Sequence, residues 1–391
     1  MRALLIALGL LLALPASALE QVTLQLKWKH QFQFAGFYAA QEKGYYRDAG
    51  LDVRINEAHG NENPIETVLS GHADFGIGAS ELVLARGQGK PVVALATLIQ
   101  HSPLTLLARH GIDTVQSLAG KRVMLVPHEI EMYAYFKREG LHPNAFEAIS
   151  PSFDARDLIE GRVDAISGYS TDEPFELRNA GFRFTQMSPR AAGIDFYGDT
   201  LFTSEAQIGR HARRVAAFRD ASLAGWHYAM AHPEEIADLI RAKYSQRNSR
   251  AHLLFEAEEL RRLMQTDLVA IGHMYPGRWQ HIAETYAELG MLPAGVSIDG
   301  LIWNPAPARL PDWVWLAFAA GALFLLLAGT AVWHYMRMAG RLGREIAERR
   351  IADQELQATR RNIAALLDAT QSFAALLDLN GDILSINTHG A

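Results

Sequence analysis

Carboxylates set just behind apolar, strand-like runs are the residues of this chain best suited to chemistry, because a strand end delivers its side chains into the crevice where α/β folds hold ligands. Glu129 is one of them. It follows the run 122–126 within Pro127-His128-Glu129-Ile130-Glu131, where a carboxylate accepts hydrogen bonds from a ring amine. His128-Glu129 does not open a zinc-protease helix, since the second histidine would have to stand where Met132 does. Gln100 and His101 follow the run 92–98 in the same way. Ser80 and Glu81 close the stretch Gly78-Ala79-Ser80-Glu81, and Tyr169 and Thr171 lie in Gly168-Tyr169-Ser170-Thr171, with Glu173 two residues further on. Ser80 and Thr171 serve equally as helix N-caps, and Glu173 equally as a first-turn carboxylate favoured by the helix dipole. Flat faces come from Trp28, Phe32, Phe34, Tyr38, Tyr169 and Tyr197, and a mostly apolar pocket with a few polar anchors suits a planar heteroaromatic ligand. Trp28 and Phe34 flank a strand-to-helix turn, whereas Phe37, Tyr45 and Tyr46 follow the helical period and read as core. No catalytic constellation, metal motif or cofactor motif emerges, and the remaining histidines are scattered.

Short apolar strands alternating with amphipathic helices must position these residues, which is the wiring of an α/β fold with largely parallel strands. An internal echo divides that fold in two. Residues 68–78 (VLSGHADFGIG) resemble 158–168 (LIEGRVDAISG), each reading as helix, glycine, acidic residue and short buried strand. Two similarly built lobes are expected, with 78–81 and 168–171 as opposite walls of one cleft. From Ser204 onward the pattern changes to long helices over 213–230, 233–244, 253–269 and 277–289, followed by a Pro-rich connector over 293–311. With a net charge of -6 and no basic cluster in this segment, nucleic acid is not an expected partner. With no cysteine in the chain, the domain has to be held by an ordinary core.

The stretch 26–53 (LKWKHQFQFAGFYAAQEKGYYRDAGLDV) is similar to the opening of the SsuA and thiamine-pyrimidine-synthase-like family, and the similarity continues through Gly71-x-x-Asp74, Gly89-Lys90-Pro91-Val92, Leu118-Ala119-Gly120-Lys121 and Gly161-x-x-Asp164. The resemblance implies a two-lobed type II periplasmic-binding-protein fold that delivers a small molecule to a transporter, senses it, or synthesises the pyrimidine half of thiamine. It also implies a ligand-facing acidic residue at Glu129. Residues 169–174 (YSTDEP) and 197–201 (YGDTL) resemble the branch fused to membrane-bound sensors, which adds Tyr197 and Asp199 to the candidate contacts. The synthase version requires a histidine where Phe34 stands and a cysteine-rich segment, so the resemblance implies binding of a pyrimidine or thiamine precursor. Synthesis and a tethered transporter-binding protein stay open as alternatives.

The ends of the chain add a membrane frame. Arg2, the apolar run 3–14 and Pro15-Ala16-Ser17-Ala18 read as a signal peptide over 1–18, or else as an uncleaved first anchor. The binding domain is expected over 19–305, a linker over 306–312 and a transmembrane helix over 313–336, bordered by Trp313, Trp315, Trp333 and Tyr335. Arg337, Arg341, Arg344, Arg349 and Arg350 follow that run, against Arg309 alone before it. The positive-inside bias therefore puts the C-terminal side in the cytoplasm of a bacterial inner membrane and the binding domain in the periplasm. Residues 337–365 read as a coiled-coil-like helix whose apolar positions Leu342, Ile346, Leu356, Ile363 and Leu367 suit a homodimer. Residues 366–391 resemble the start of a PAS domain with an Asn380-Gly381 turn, too short to bury a core, so the expectation is a chain stopping inside a signalling module.

Overall fold

The computed structural model describes residues 18–59, 62–126, 129–152, 154–305, 312–369 and 375–386. The expected signal peptide, nearly all of the expected linker, the Pro127-His128 pair and parts of the expected PAS start lie outside the described residues. The chain divides into two compact units, Met1–Pro305 and Ala306–Ala391.

The first unit holds two five-stranded sheets. One contains β1 (Glu20–Gln25), β2 (Leu51–Asn56), β3 (Phe75–Gly78), β4 (Val92–Thr97) and β10 (Thr200–Ser204), in the order β2-β1-β3-β10-β4. The other contains β5 (Leu104–Arg109), β6 (Arg122–Met124), β7 (Glu147–Ile149), β8 (Ala165–Tyr169) and β9 (Phe184–Met187), in the order β7-β6-β8-β5-β9. Parallel pairing dominates around β1 and β6, but β10 runs antiparallel to β3 and β4, and β5 antiparallel to β8 and β9. These reversed strands were not foreseen, and they have a structural cause. Each is the first strand the chain lays down after crossing from the other lobe, once between β4 and β5 and once between β9 and β10. The two crossings pair with each other: Leu98 N donates to Asp199 O at 2.8 Å, Gly198 N to Ile99 O at 2.9 Å and Ser102 N to Phe196 O at 2.9 Å. A two-stranded hinge results.

The repeated glycine-acid-strand pattern has a physical basis. Gly71 and Gly161 have φ of 80° and 74°, the left-handed conformation that ends a helix without a Cβ clash. The acidic residue then stands just before its own strand and ties it to the neighbouring parallel strand. Asp74 Oδ2 accepts from Thr23 N in β1 at 2.8 Å, and Asp164 Oδ2 accepts from Arg122 N in β6 at 2.9 Å. In the first lobe, helix Ala35–Glu42 packs closely against helix Glu205–Ala231, and Phe218 is stacked between Phe75 and Tyr46 at 4.0 and 5.2 Å. The long helices appear where expected, with shifted ends. Arg250–Met264 stops at Gln265, whose φ of 53° takes it out of the helix, and Pro233–Leu239 passes into a π-turn over Ile240–Tyr244. The apolar residues 301–303 pack on the domain as an addition to β4, with Ala94 N donating to Leu301 O at 2.6 Å and Trp303 N to Ala94 O at 2.8 Å.

In the second unit, one uninterrupted helix spans Asp312–Ala369. Its apolar part has a mean hydropathy of 2.1 and is long and apolar enough to cross a membrane by length and composition. An antiparallel pair, Ala375–Leu377 with Ile383–Ile386, follows, turning through Gly381 at a φ of 88°.

Candidate functional site

A cavity of ≈ 80 Å³ lies where strand ends of both sheets converge. Lys27 and Trp28 follow β1, Ala79, Ser80 and Glu81 follow β3, Val126 and Glu129 follow β6, and Gly168 and Tyr169 end β8. Ser102 enters from the hinge, and Asp172 and Glu173 from the start of helix Glu173–Asn179.

A chain of polar groups crosses the floor. Lys27 Nζ donates to the Tyr169 hydroxyl at 2.6 Å and lies 3.6 Å from Asp199 Oδ1, so one ammonium joins the two lobes. Burial works against that charge, but Tyr169, Asp199 and Glu81 outweigh it and raise the Lys27 pKa well above its ordinary value. Lys27 is therefore a fixed cation and a poor nucleophile. Asp199, pushed up by burial and restrained by Lys27, also accepts from Gln33 Nε2 at 2.7 Å. Gln31 Nε2 donates to Gln33 Oε1 at 3.0 Å, and Gln31 Oε1 accepts from Arg247.

The walls are acidic. Burial pushes Glu129 up to about 7, although Ser167 hydrogen-bonds to it and Lys27 lies near, and its Oε2 is buried without a partner. Burial pushes the adjacent Glu131 up to about 8, opposed by a hydrogen bond from Ser102. Glu81 Oε1 accepts from Ala79 N at 2.8 Å, and Glu173 Oε2 from Tyr169 N at 2.7 Å. Burial and the neighbouring Asp172 raise Glu173 well above the usual carboxylate range.

A larger cavity of ≈ 610 Å³ adjoins the first and shares Trp28, Val126, Asp172 and Glu173 with it. At their border the lobes are linked by ion pairs. Asp172 Oδ1 is 2.8 Å from His252 Nε2, and its Oδ2 is 3.3 Å from Arg247. Burial opposes ionisation of Asp172, but His252 and Arg247 together hold its carboxyl below the usual range. Glu256, raised by burial and by Asp172, accepts from Phe32 N at 2.8 Å and Asn248 Nδ2 at 2.6 Å. Ligand atoms of Asp172, His252 and Glu256 lie within 4.8 Å of one another, close enough to consider a metal ion. Their donors and the Arg247 guanidinium already neutralise the group, so the arrangement reads as an interlobe latch.

Of the residues singled out in the sequence, Trp28, Ser80, Glu81, Glu129, Tyr169 and Glu173 line the inner cavity, and Asp199 stands behind Lys27. Thr171 is buried off the wall, its hydroxyl without a partner among the described residues. Phe34 and Tyr38 require correction: both are fully buried in the first lobe's core, and Tyr38 packs on Tyr244 at 4.1 Å and hydrogen-bonds to His30 at 2.8 Å. The turn after β1 rolls into a helix that faces inward, so that of this turn's aromatics it is Trp28 that reaches the cleft, beside Lys27, Gln31 and Gln33. Gln100, His101 and Tyr197 also lie off the wall, because residues 98–101 pair within the hinge before the chain reaches the cavity at Ser102. Gln100 donates to His273 O at 3.1 Å, His101 meets Asp195 at 2.6 Å, and the Tyr197 hydroxyl accepts from Tyr275 N at 3.0 Å. Missed in the sequence were Lys27, Gln31, Gln33, Ser102, Glu131 and Asp172. Lys27 and Glu131 were legible, since the first follows β1 directly and the second stands two residues after Glu129.

Residues 31–236 match the family model described as NMT1/THI5 like. The chain is similar to the riboflavin-binding protein RibY of Chloroflexus aurantiacus, with 25% identity over 302 residues, covering 73% of this chain and 86% of that protein. It is also similar to the formylaminopyrimidine-binding protein of Halalkalibacterium halodurans, with 27% identity over 252 residues, 62% of this chain and 76% of that one. Among solved structures, the fold matches the periplasmic aliphatic sulphonate binding protein SsuA of Escherichia coli with a TM-score of 0.56 at 15% identity, covering 75% of this chain and 94% of that one.

Proposed function

The chain belongs to the NMT1/THI5-like family, and from that premise we propose that it is a membrane-tethered, extracytoplasmic receptor for a small planar nitrogen heterocycle. The observation that carries this reading is the interlobe cavity, which combines the Trp28 indole with hydrogen-bonding groups from both sheets and one partly buried lysine. The ligands named for the two relatives, riboflavin and formylaminopyrimidine, are planar nitrogen heterocycles, which supports the same class here. The apolar helix that follows the domain supports a single membrane anchor, and its unbroken continuation supports a rod that carries lobe closure across the bilayer, as a dimer, to a signalling output. Closure can bias that output only by the ligand's differential affinity for the open and closed states. A synthase reading lacks support from the site, since no histidine lines the inner cavity among the described residues.

A thermal-shift screen of the full chain in detergent, across pyrimidines, thiamine precursors, flavins and sulfonates, tests the proposal. Stabilisation by a heterocycle is expected. No stabilisation by any member of these classes would remove the receptor reading.

A further inference from the structure

We infer that the inner cavity selects its ligand by positive charge: the heterocycle is held as a cation, or as a base that becomes one, by Glu129 and Glu131, with anionic rings rejected. This rests on the receptor reading above and deepens it. Glu62, Glu81, Glu129, Glu131, Asp172 and Glu173 face the cavity, against the single ammonium of Lys27. Most of these groups are already committed. Lys27 is engaged by Tyr169 and Asp199, Asp172 by His252 and Arg247, Glu173 by Tyr169 N, Glu81 by Ala79 N, and Glu62 Oε2 by Gln25 Nε2 at 3.3 Å. Among the described residues of the wall, Glu129 Oε2 and Asp172 Oδ1 are buried without a hydrogen-bond partner; Asp172 Oδ1 already has the His252 imidazole at 2.8 Å, which leaves Glu129, with Glu131 beside it hydrogen-bonded by Ser102. A buried carboxylate oxygen without a donor costs free energy until something supplies one. A ligand N–H or ring cation supplies it, whereas an anion would add a further like charge to an enclosed site.

The titration of these two groups follows from their surroundings. Lys27 from the end of β1 and Glu81 after β3 face the pair from the first lobe, Tyr169 and Glu173 face Glu129 from its own lobe, and Tyr286 of helix Pro276–Glu288 faces Glu131. With Glu129 near 7 and Glu131 near 8, both are partly protonated in the empty protein at neutral pH. A cation bound beside them favours the carboxylate form, so binding a permanent cation releases protons, and affinity rises with pH through the same range.

The test is isothermal titration of the full chain in detergent with four probes: thiamine as a permanently cationic heterocycle, 4-amino-5-hydroxymethyl-2-methylpyrimidine as a basic one, uracil as a neutral one and orotate as an anionic one. Thiamine or the aminopyrimidine is expected to bind at least tenfold more tightly than uracil, with no heat from orotate. For thiamine, parallel titrations in buffers of different ionisation enthalpy should report a net release of protons near neutral pH. Glu129→Gln should weaken the cationic probe about tenfold and reduce proton release, with a smaller loss for uracil than for the cation; should that variant fail to fold, Glu131→Gln is read the same way. Binding of orotate or uracil at or above the affinity of the cationic probes would overturn the charge selection and leave the receptor reading standing. Absence of binding by all four would overturn the selection, and joined to a blank thermal-shift screen it would remove the receptor reading as well.

Discussion

Replacing Lys27 with Met removes the one ammonium on the cavity wall while keeping most of the side chain's apolar bulk. At 3.6 Å from Asp199, with an effective dielectric of about 20, the attraction lost is about 5 kcal/mol before desolvation is counted. Breaking a buried pair by deleting one partner costs ~3–5 kcal/mol because the other charge is left uncompensated. The lower end is expected here, since Asp199 keeps the Gln33 hydrogen bond and is free to take up a proton. A loss of ~3 kcal/mol corresponds to a fall of roughly 6 °C in the melting temperature of a domain this size. Its pH dependence has a definite sign. Without Lys27 the Asp199 pKa rises further above its unfolded value, and a raised acid contributes stability that is fully present below the unfolded pKa and lost as pH rises through the folded one. The deficit should therefore be smallest near about pH 5 and largest near about pH 8. Adding Asp199→Asn should recover part of the loss, with a coupling of ~1–3 kcal/mol across the double-mutant cycle. Thermal unfolding of the four proteins in detergent at both pH values is the assay. A Lys27→Met protein within about 0.5 kcal/mol of wild type, or strict additivity in the cycle, would refute the reasoning.

Gly36→Ala should destabilise the first lobe by ~3 kcal/mol or more, because a Cβ there would stand 2.1 Å from Trp226 Cγ in a packed helix pair; a melting temperature equal to wild type would count against this packing. Asp172→Asn should weaken the latch to Arg247 and His252 and lengthen the interlobe distance of the empty protein, read by electron-electron resonance between nitroxides at the exposed positions Asp52 and Glu147. An unchanged distance distribution would show that the latch does not hold the lobes. In the empty protein, Glu129 and Glu131 have folded pKa values above their unfolded ones, so their contribution is present below about pH 4.5 and lost as pH rises to about 8. The melting temperature should accordingly fall over that interval by more in wild type than in Glu131→Gln, and superimposable pH profiles would contradict the assignment.

The strand-helix alternation, the echo around Gly71 and Gly161 and the strand-end rule were enough to read a two-lobed α/β fold and part of the cavity wall from sequence. They succeeded because each depends on local periodicity or on a residue next to a strand end. Phe34 and Tyr38 misled because a turn between strand and helix does not announce which side faces inward. The same aromatic residue types serve a core and a stacking platform. Gln100 and His101 misled because the antiparallel pairing of the two crossings, which sets them in the hinge, joins segments about a hundred residues apart. Asp172, Arg247, His252 and Glu256 were invisible for the same reason, since the latch joins the start of one helix to another helix 80 residues later.

The central claim is that a small nitrogen heterocycle occupies the cavity between the two sheets. Native mass spectrometry of the full chain, incubated with the heterocycle that stabilises it most in the thermal screen, tests this most directly when run beside the Trp28→Ala/Glu129→Gln protein. One adduct of the ligand's mass is expected on the wild-type protein, with its loss from the folded variant. An adduct retained equally by the variant, or none on wild type, would contradict it.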